Sequence, residues 1–181
     1  MRVRLLLVAT LLASCATDGG DHELQVVHDP CEPLVLVPGD GADRAEIASL
    51  DQAAAMWNRL GQTRLSTAKP EPAGETPDVT AARPADPILE VRFETAAPVF
   101  HGLYDDEHGV VYINHRLADP HQRAVTVAHE VGHALGLFHI TKRTSVMNPA
   151  NLEIEPDRED AKDLQVLWGE CPPASAAASG D

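Results

Sequence analysis

Basic residues are scarce in this 181-residue chain: 14 Lys and Arg stand against 28 Asp and Glu, a formal net charge of −14 at pH 7. Nucleic-acid binding needs a concentrated basic patch, so this balance excludes such partners. It suits a soluble monomer, and it suits calcium without indicating a place for it. Long apolar runs are missing too. Leu5 to Leu12 falls far short of the roughly 20 residues that a membrane-spanning helix needs. Cysteine is limited to Cys15, Cys31 and Cys171, an odd number in which one must stand outside any pairing. The length bounds a single domain.

What is present is concentrated in His129-Glu130-Val131-Gly132-His133-Ala134-Leu135-Gly136-Leu137-Phe138-His139. On a helix, His129 and His133 project from one face a turn apart. That is the bite of one metal ion. Imidazole nitrogen suits zinc, and catalytic zinc takes three protein ligands and leaves a position for water. His129 and His133 supply two ligands. Gly136 accepts the left-handed backbone that ends a helix, and the chain then brings back His139 as the third. Glu130 is not needed as a ligand and can reach the water, whose pKa zinc lowers to about 7. Read without chemistry, the segment is a buried helix with incidental histidines, an arrangement costly to bury for nothing.

The pattern HExxHxxGxxH resembles the extended zinc motif of the metzincin metallopeptidases. Ser145-Val146-Met147-Asn148-Pro149 follows shortly after His139, similar to the Met-turn of the matrixin-like branch. The resemblance implies that Met147 is an apolar, polarisable floor under the imidazoles. Its other reading is ordinary core filling. The implied fold is α+β: a twisted mixed, mostly parallel sheet over two helices, with an active-site helix, the Met-turn and a C-terminal helix. The implied activity is that of a zinc endopeptidase acting on a protein or peptide, with Glu130 as the general base that passes the water proton to the leaving amine. Two readings stay beside it: a non-catalytic surface protein stabilised by zinc, and a peptidase confined to small peptides or peptidoglycan cross-links. The intact Glu130 speaks against the first.

Residues 1–15 read as a targeting segment, with Arg2 and Arg4 before the short apolar run. Leu12-Ala13-Ser14-Cys15 resembles a bacterial lipobox, which implies lipidation of Cys15 and anchoring to a membrane by its acyl chains. An ordinary secretory signal is the alternative. Ala16 is not the Asp associated with inner-membrane retention, so the expectation is an exported protein at the outer membrane or cell surface. Lipidation of Cys15 leaves Cys31 and Cys171 to pair in an oxidising compartment. A rival reading takes Asp29-Pro30-Cys31-Glu32-Pro33 as similar to the matrixin segment whose Cys blocks the zinc, which strands Cys171.

Residues 16–30 read as a tether, 31–172 as the metzincin-like catalytic domain, 68–87 as a Pro-rich flexible insertion and 173–181 as a disordered tail. Strands are expected at Leu34–Val37, Thr63–Thr67, Ile88–Phe93 and Val110–Ile113. The helix from Asp43 to Leu60 carries an apolar stripe of Ile47, Leu50, Ala54, Trp57 and Leu60, with Trp57 in the core. Asp119, Pro120 and Gln122 form a capping-box-like start to the zinc helix, whose buried stripe is Ala124, Ala128, Val131 and Leu135. His121 falls on the surface. The last helix runs from about Pro156 to Trp168, with Asp157, Glu159 and Asp160 suiting its positive end and Ala161, Leu164 and Trp168 packing inward.

Val99 to Tyr104 occupies the place of the metzincin edge strand, along which a substrate peptide pairs. His101, Asp105, Asp106 and His108 follow as either a second metal site or a solvated acidic turn. Asn148 to Glu155 is expected to wall the pocket past the cut. Asn148 and Asn151 stand where matrixins usually carry Tyr, and Ile140 matches none of the family-typing residues.

Overall fold

A computed structural model describes residues 24–68 and 87–172. The leader, Cys15, most of the expected tether, nearly all of the expected insertion and the tail lie outside the described residues. Five strands and three helices follow in the order β1 (Pro33–Pro38), α1 (Arg44–Asn58), β2 (Arg64–Thr67), β3 (Ile88–Glu94), β4 (Gly102–Asp105), β5 (Val110–Asn114), α2 (Pro120–Ala134) and α3 (Arg158–Trp168). The sheet order is β2-β1-β3-β5-β4. All neighbours are parallel except β4, which runs antiparallel to β5 at the sheet's end. This is the mostly parallel α+β fold that the sequence implies.

Alternation along the strands buries Leu34, Leu36, Leu89 and Val91 in a core that also contains Val111 and Ile113 of β5. Helices α1 and α2 pack against each other and against the sheet, α1 on β1 and β2, α2 on β4 and β5. Trp57 is the fully buried joint between the helices, its indole Nε1–H donating to the Ala128 carbonyl at 2.9 Å. Burial of large apolar side chains of this kind, each contributing roughly 1.5–3 kcal/mol, holds the two layers together.

Three sequence expectations shift. The stripe of α1 turns: Glu46, Ser49, Leu50, Ala53, Ala54, Met56 and Trp57 are buried, whereas Ile47 and Leu60 lie on its flank. Glu46 is buried because both carboxylate oxygens are occupied, Oε2 by the Asp43 N–H at 2.8 Å and Oε1 by His115 Nδ1 at 2.6 Å. At α2, Asp119 caps the Gln122 N–H at 2.9 Å, but the Gln122 side chain reaches Glu153 instead of closing a box. Finally, β4 begins at Gly102, and Val99 is 89% exposed ahead of it.

Cys31 and Cys171 form a disulfide that closes a separation of 140 residues. The pairing agrees with the expected one. It leaves Cys31 no free thiol to block a metal.

Candidate metal centre

Helix α2 presents His129 and His133 as their spacing requires. The imidazole of His129 is buried (6% exposed), His133 is half-buried and His139 is exposed, so the group opens outward at His139. Gly136, at φ +95°, turns the chain, and the Leu137 carbonyl that follows accepts a hydrogen bond from His133 Nδ1 at 2.7 Å. His129 Nδ1 donates to the Val146 carbonyl, also at 2.7 Å. A carbonyl partner fixes the proton on Nδ1 and leaves the Nε2 lone pair free.

The Nε2 atoms converge. His139 Nε2 is 3.2 Å from His129 Nε2 and 3.3 Å from His133 Nε2. Ligands placed tetrahedrally at zinc–nitrogen distances of about 2.0–2.1 Å stand roughly 3.3–3.4 Å apart. With both Nδ1 protons spent on carbonyls, His129 and His133 have no Nε2–H to offer, so a cation is the partner this donor set fits. Burial lowers all three imidazoles, His129 to about 4 and His133 to about 3, with the neighbouring rings adding to the effect in both. They stay neutral, as ligands must. Among the described residues, no other three His, Cys, Asp or Glu side chains gather in this way. His101 and Asp106 join no such group, and His108 Nδ1 pairs with Asp105 Oδ2 at 2.9 Å, as a solvated turn would.

The turn at Ser145–Pro149 packs against α2 at Gly132, between His129 and His133 in sequence. Met147 is fully buried, and a Cβ on Gly132 would lie 2.4 Å from its Sδ. The bare helix face at Gly132 is therefore what admits the sulfur. Met147 O accepts from Ile140 N–H at 2.9 Å, tying the turn to the residue after His139. Asp160, fully buried, accepts from Ser145 Oγ at 2.6 Å and Val146 N–H at 3.2 Å and is paired with Arg143 at 2.9 Å. The helix-dipole reading of Asp160 missed this anchor.

Residues 89–169 match the family model described as Matrixin, of the M10 peptidases. The matched segment carries the three converging histidines and is similar to that of the matrixin peptidases. Among solved structures, 111 chains match. One is archaemetzincin from Methanopyrus kandleri, with 19% identity and a TM-score of 0.48 over 75% of this chain and 94% of that one. No curated protein matches.

Glu130 is 6% exposed and lies under the edge strand. A Cβ on Gly102 would come within 2.7 Å of Glu130 Oε1. Burial pushes the carboxyl up to about 8, and a hydrogen bond from the Tyr104 backbone N–H opposes the rise. The expected pocket wall is differently used. The Asn148 amide donates to the Ile140 and Arg143 carbonyls at 2.6 and 2.8 Å, and that of Asn151 to Ile154 and Val146 at 2.7 and 3.1 Å. Both shape the loop. Gly102, Gly132 and Asp160 are the site residues that sequence reasoning passed over. A glycine inside a helix, costing about 1 kcal/mol, was the one available signal, at Gly132.

Proposed function

We propose that the chain is an endopeptidase in which Glu130 is the general base. The observation that carries this reading is the placement of its carboxylate, next in sequence to the ligand His129 and against the edge strand β4. Strand β4 ends the sheet, so an extended peptide can add to it by main-chain hydrogen bonds and continue past the site in both directions. His129, His133 and His139 would hold a zinc ion, which when bound would supply Lewis acidity to the scissile carbonyl and acidify water. Glu130, in the ionised form that a cation held by the neighbouring histidines would favour, takes the proton of the attacking water and returns it to the leaving amine. Its burial excludes competing solvent from the carboxylate.

The Cys31–Cys171 bond supports the reading of an exported protein, since such bonds persist in oxidising compartments. Lipidation at Cys15 and a membrane-surface location belong to the same proposal, and the mass of the mature N-terminal peptide tests them.

The deciding experiment measures zinc content and cleavage of a mixed peptide library for the chain and its Glu130→Gln variant. One zinc per chain in both, with cleavage reduced about 10²–10⁴-fold in the variant, is the expected result. Retained cleavage refutes the assigned base. Zinc in both with cleavage in neither favours a binding protein.

A further inference from the structure

Strand β3 ends at Glu94 and β4 begins at Gly102, yet β5 lies between them in the sheet. The connection 95–101 must therefore step across the end of β5. Asn114, the last residue of β5, sits under that step and is 2% exposed. Its amide is fully used. Nδ2 donates to the Phe100 carbonyl at 2.7 Å and to that of Ala97 at 3.1 Å. Oδ1 accepts from Arg116 N–H at 3.0 Å and Ala96 N–H at 3.3 Å. A side-chain amide offers two donor hydrogens and two acceptor lone pairs, and all four are taken by backbone. The Asn114 backbone N–H adds a bond to the carbonyl of His101, the residue before β4, at 2.8 Å.

The step delivers β4 at a fixed height above α2. At Gly102 that height leaves no room for a side chain, because a Cβ would come within 2.7 Å of Glu130 Oε1 and 2.9 Å of Thr126 Cγ2. Two residues on, the Tyr104 N–H is hydrogen-bonded to the same carboxylate.

We propose that Asn114 is the positioning residue that sets the edge strand over Glu130, acting through the Ala97 and Phe100 carbonyls it holds. Other side chains lack the means. An ionised Asp has no donor, Ser has one, and Gln is a methylene too long for a site already closed. Removing the donors frees the Ala97 and Phe100 carbonyls, and the step rises toward water. The strand then loses its register with the base while the three imidazoles, held from α2 and the Met-turn, stay in place. Only the kinetic consequence rests on the endopeptidase reading.

The test uses the full zinc-loaded chain with Asn114→Asp and Asn114→Ser. Hydrogen exchange at the Leu103 and Tyr104 amides accelerates about tenfold or more, while Trp57 in α1 and Met147 stay within about twofold. Zinc content is unchanged, and KM for peptides long enough to lie along β4 rises more than kcat falls. Uniform acceleration along the chain, no acceleration at β4, or a loss confined to kcat overturns the proposal. Should the Asp variant not fold, the Ser variant decides. Should the parent chain cleave no peptide, the endopeptidase reading fails alone and the exchange pattern still decides the role of Asn114.

Discussion

Asp160 and His129 are joined through Val146: the Asp160 carboxylate accepts from the Val146 N–H at 3.2 Å, and the Val146 carbonyl accepts from His129 Nδ1 at 2.7 Å. Helix α3 thus aims a metal ligand on α2 without touching it. The same carboxylate is paired with Arg143 and accepts the Ser145 hydroxyl and the Asp157 N–H. An amide cannot replace it, because one of its two ends must face a donor with a donor.

Asp160→Asn is expected to cost about 3–5 kcal/mol in urea unfolding, the range for breaking a buried ion pair on one side. Zinc affinity should fall about 10–100-fold, as it does when outer partners of ligands are lost. Chelator competition measures the second effect. Unchanged affinity would mean that the Met-turn holds the Val146 carbonyl without help from α3.

Why one part of this site was legible and another was not follows from sequence distance. The ligands lie within eleven residues, from His129 to His139, because a helix turn and a glycine reversal suffice to gather them. Spacing alone then carries the chemistry. Asp160 looks like Asp157 and Glu159 beside it, all three suiting a helix start, and only tertiary packing buries one of them. The same holds for Glu46, whose partner His115 lies 69 residues away. The edge strand was placed correctly in order but begun too early, because its start is set by Asn114, which binds the preceding loop from another strand.

The disulfide tests a different kind of stabilisation. Closing a loop of 140 residues removes chain entropy from the unfolded state, worth about 5 kcal/mol in that account. Cys31→Ser with Cys171→Ser should therefore lower Tm by about 10–20 °C for a domain of this size. The zinc content of the folded double variant should be unchanged, since neither sulfur is a ligand. A zinc content that falls would instead mean that the disulfide helps to hold the centre together.

His28 gives stability a pH dependence with a definite sign. Its backbone N–H donates to the Ala134 carbonyl at 2.8 Å, and its Nε2 is buried with no hydrogen-bond partner. Burial lowers its pKa below the ordinary value of 6.5. The unfolded chain then takes up the proton first as the pH falls. The contribution to stability is full above pH 6.5 and is lost as the pH drops through the lower folded value. In zinc-loaded protein, unfolding free energies of the parent and His28→Gln should converge, or cross, between pH 7.5 and pH 5. Parallel curves would show that His28 titrates alike in both states.

Gly132 and Met147 give a prediction whose sign reverses with context. In a helix interior, Gly→Ala ordinarily gains about 0.5–1 kcal/mol. Here the new methyl would lie 2.4 Å from Met147 Sδ, with Met147 Cε at 3.2 Å and Trp57 Cζ2 at 3.4 Å behind it. Met147 and Trp57 are both fully buried, so the thioether has little space to retreat into. Overpacking of this kind costs about 1–3 kcal/mol and outweighs the helix gain. Gly132→Ala alone should therefore destabilise the chain and weaken zinc binding by shifting the Met-turn. In a Met147→Ala background the obstruction is gone, and the same substitution should become neutral or stabilising. The two effects are read from a double-mutant cycle in denaturant unfolding, where residues in contact show coupling of about 0.5–3 kcal/mol. Additive effects would mean that Gly132 is kept for a reason other than room for the sulfur.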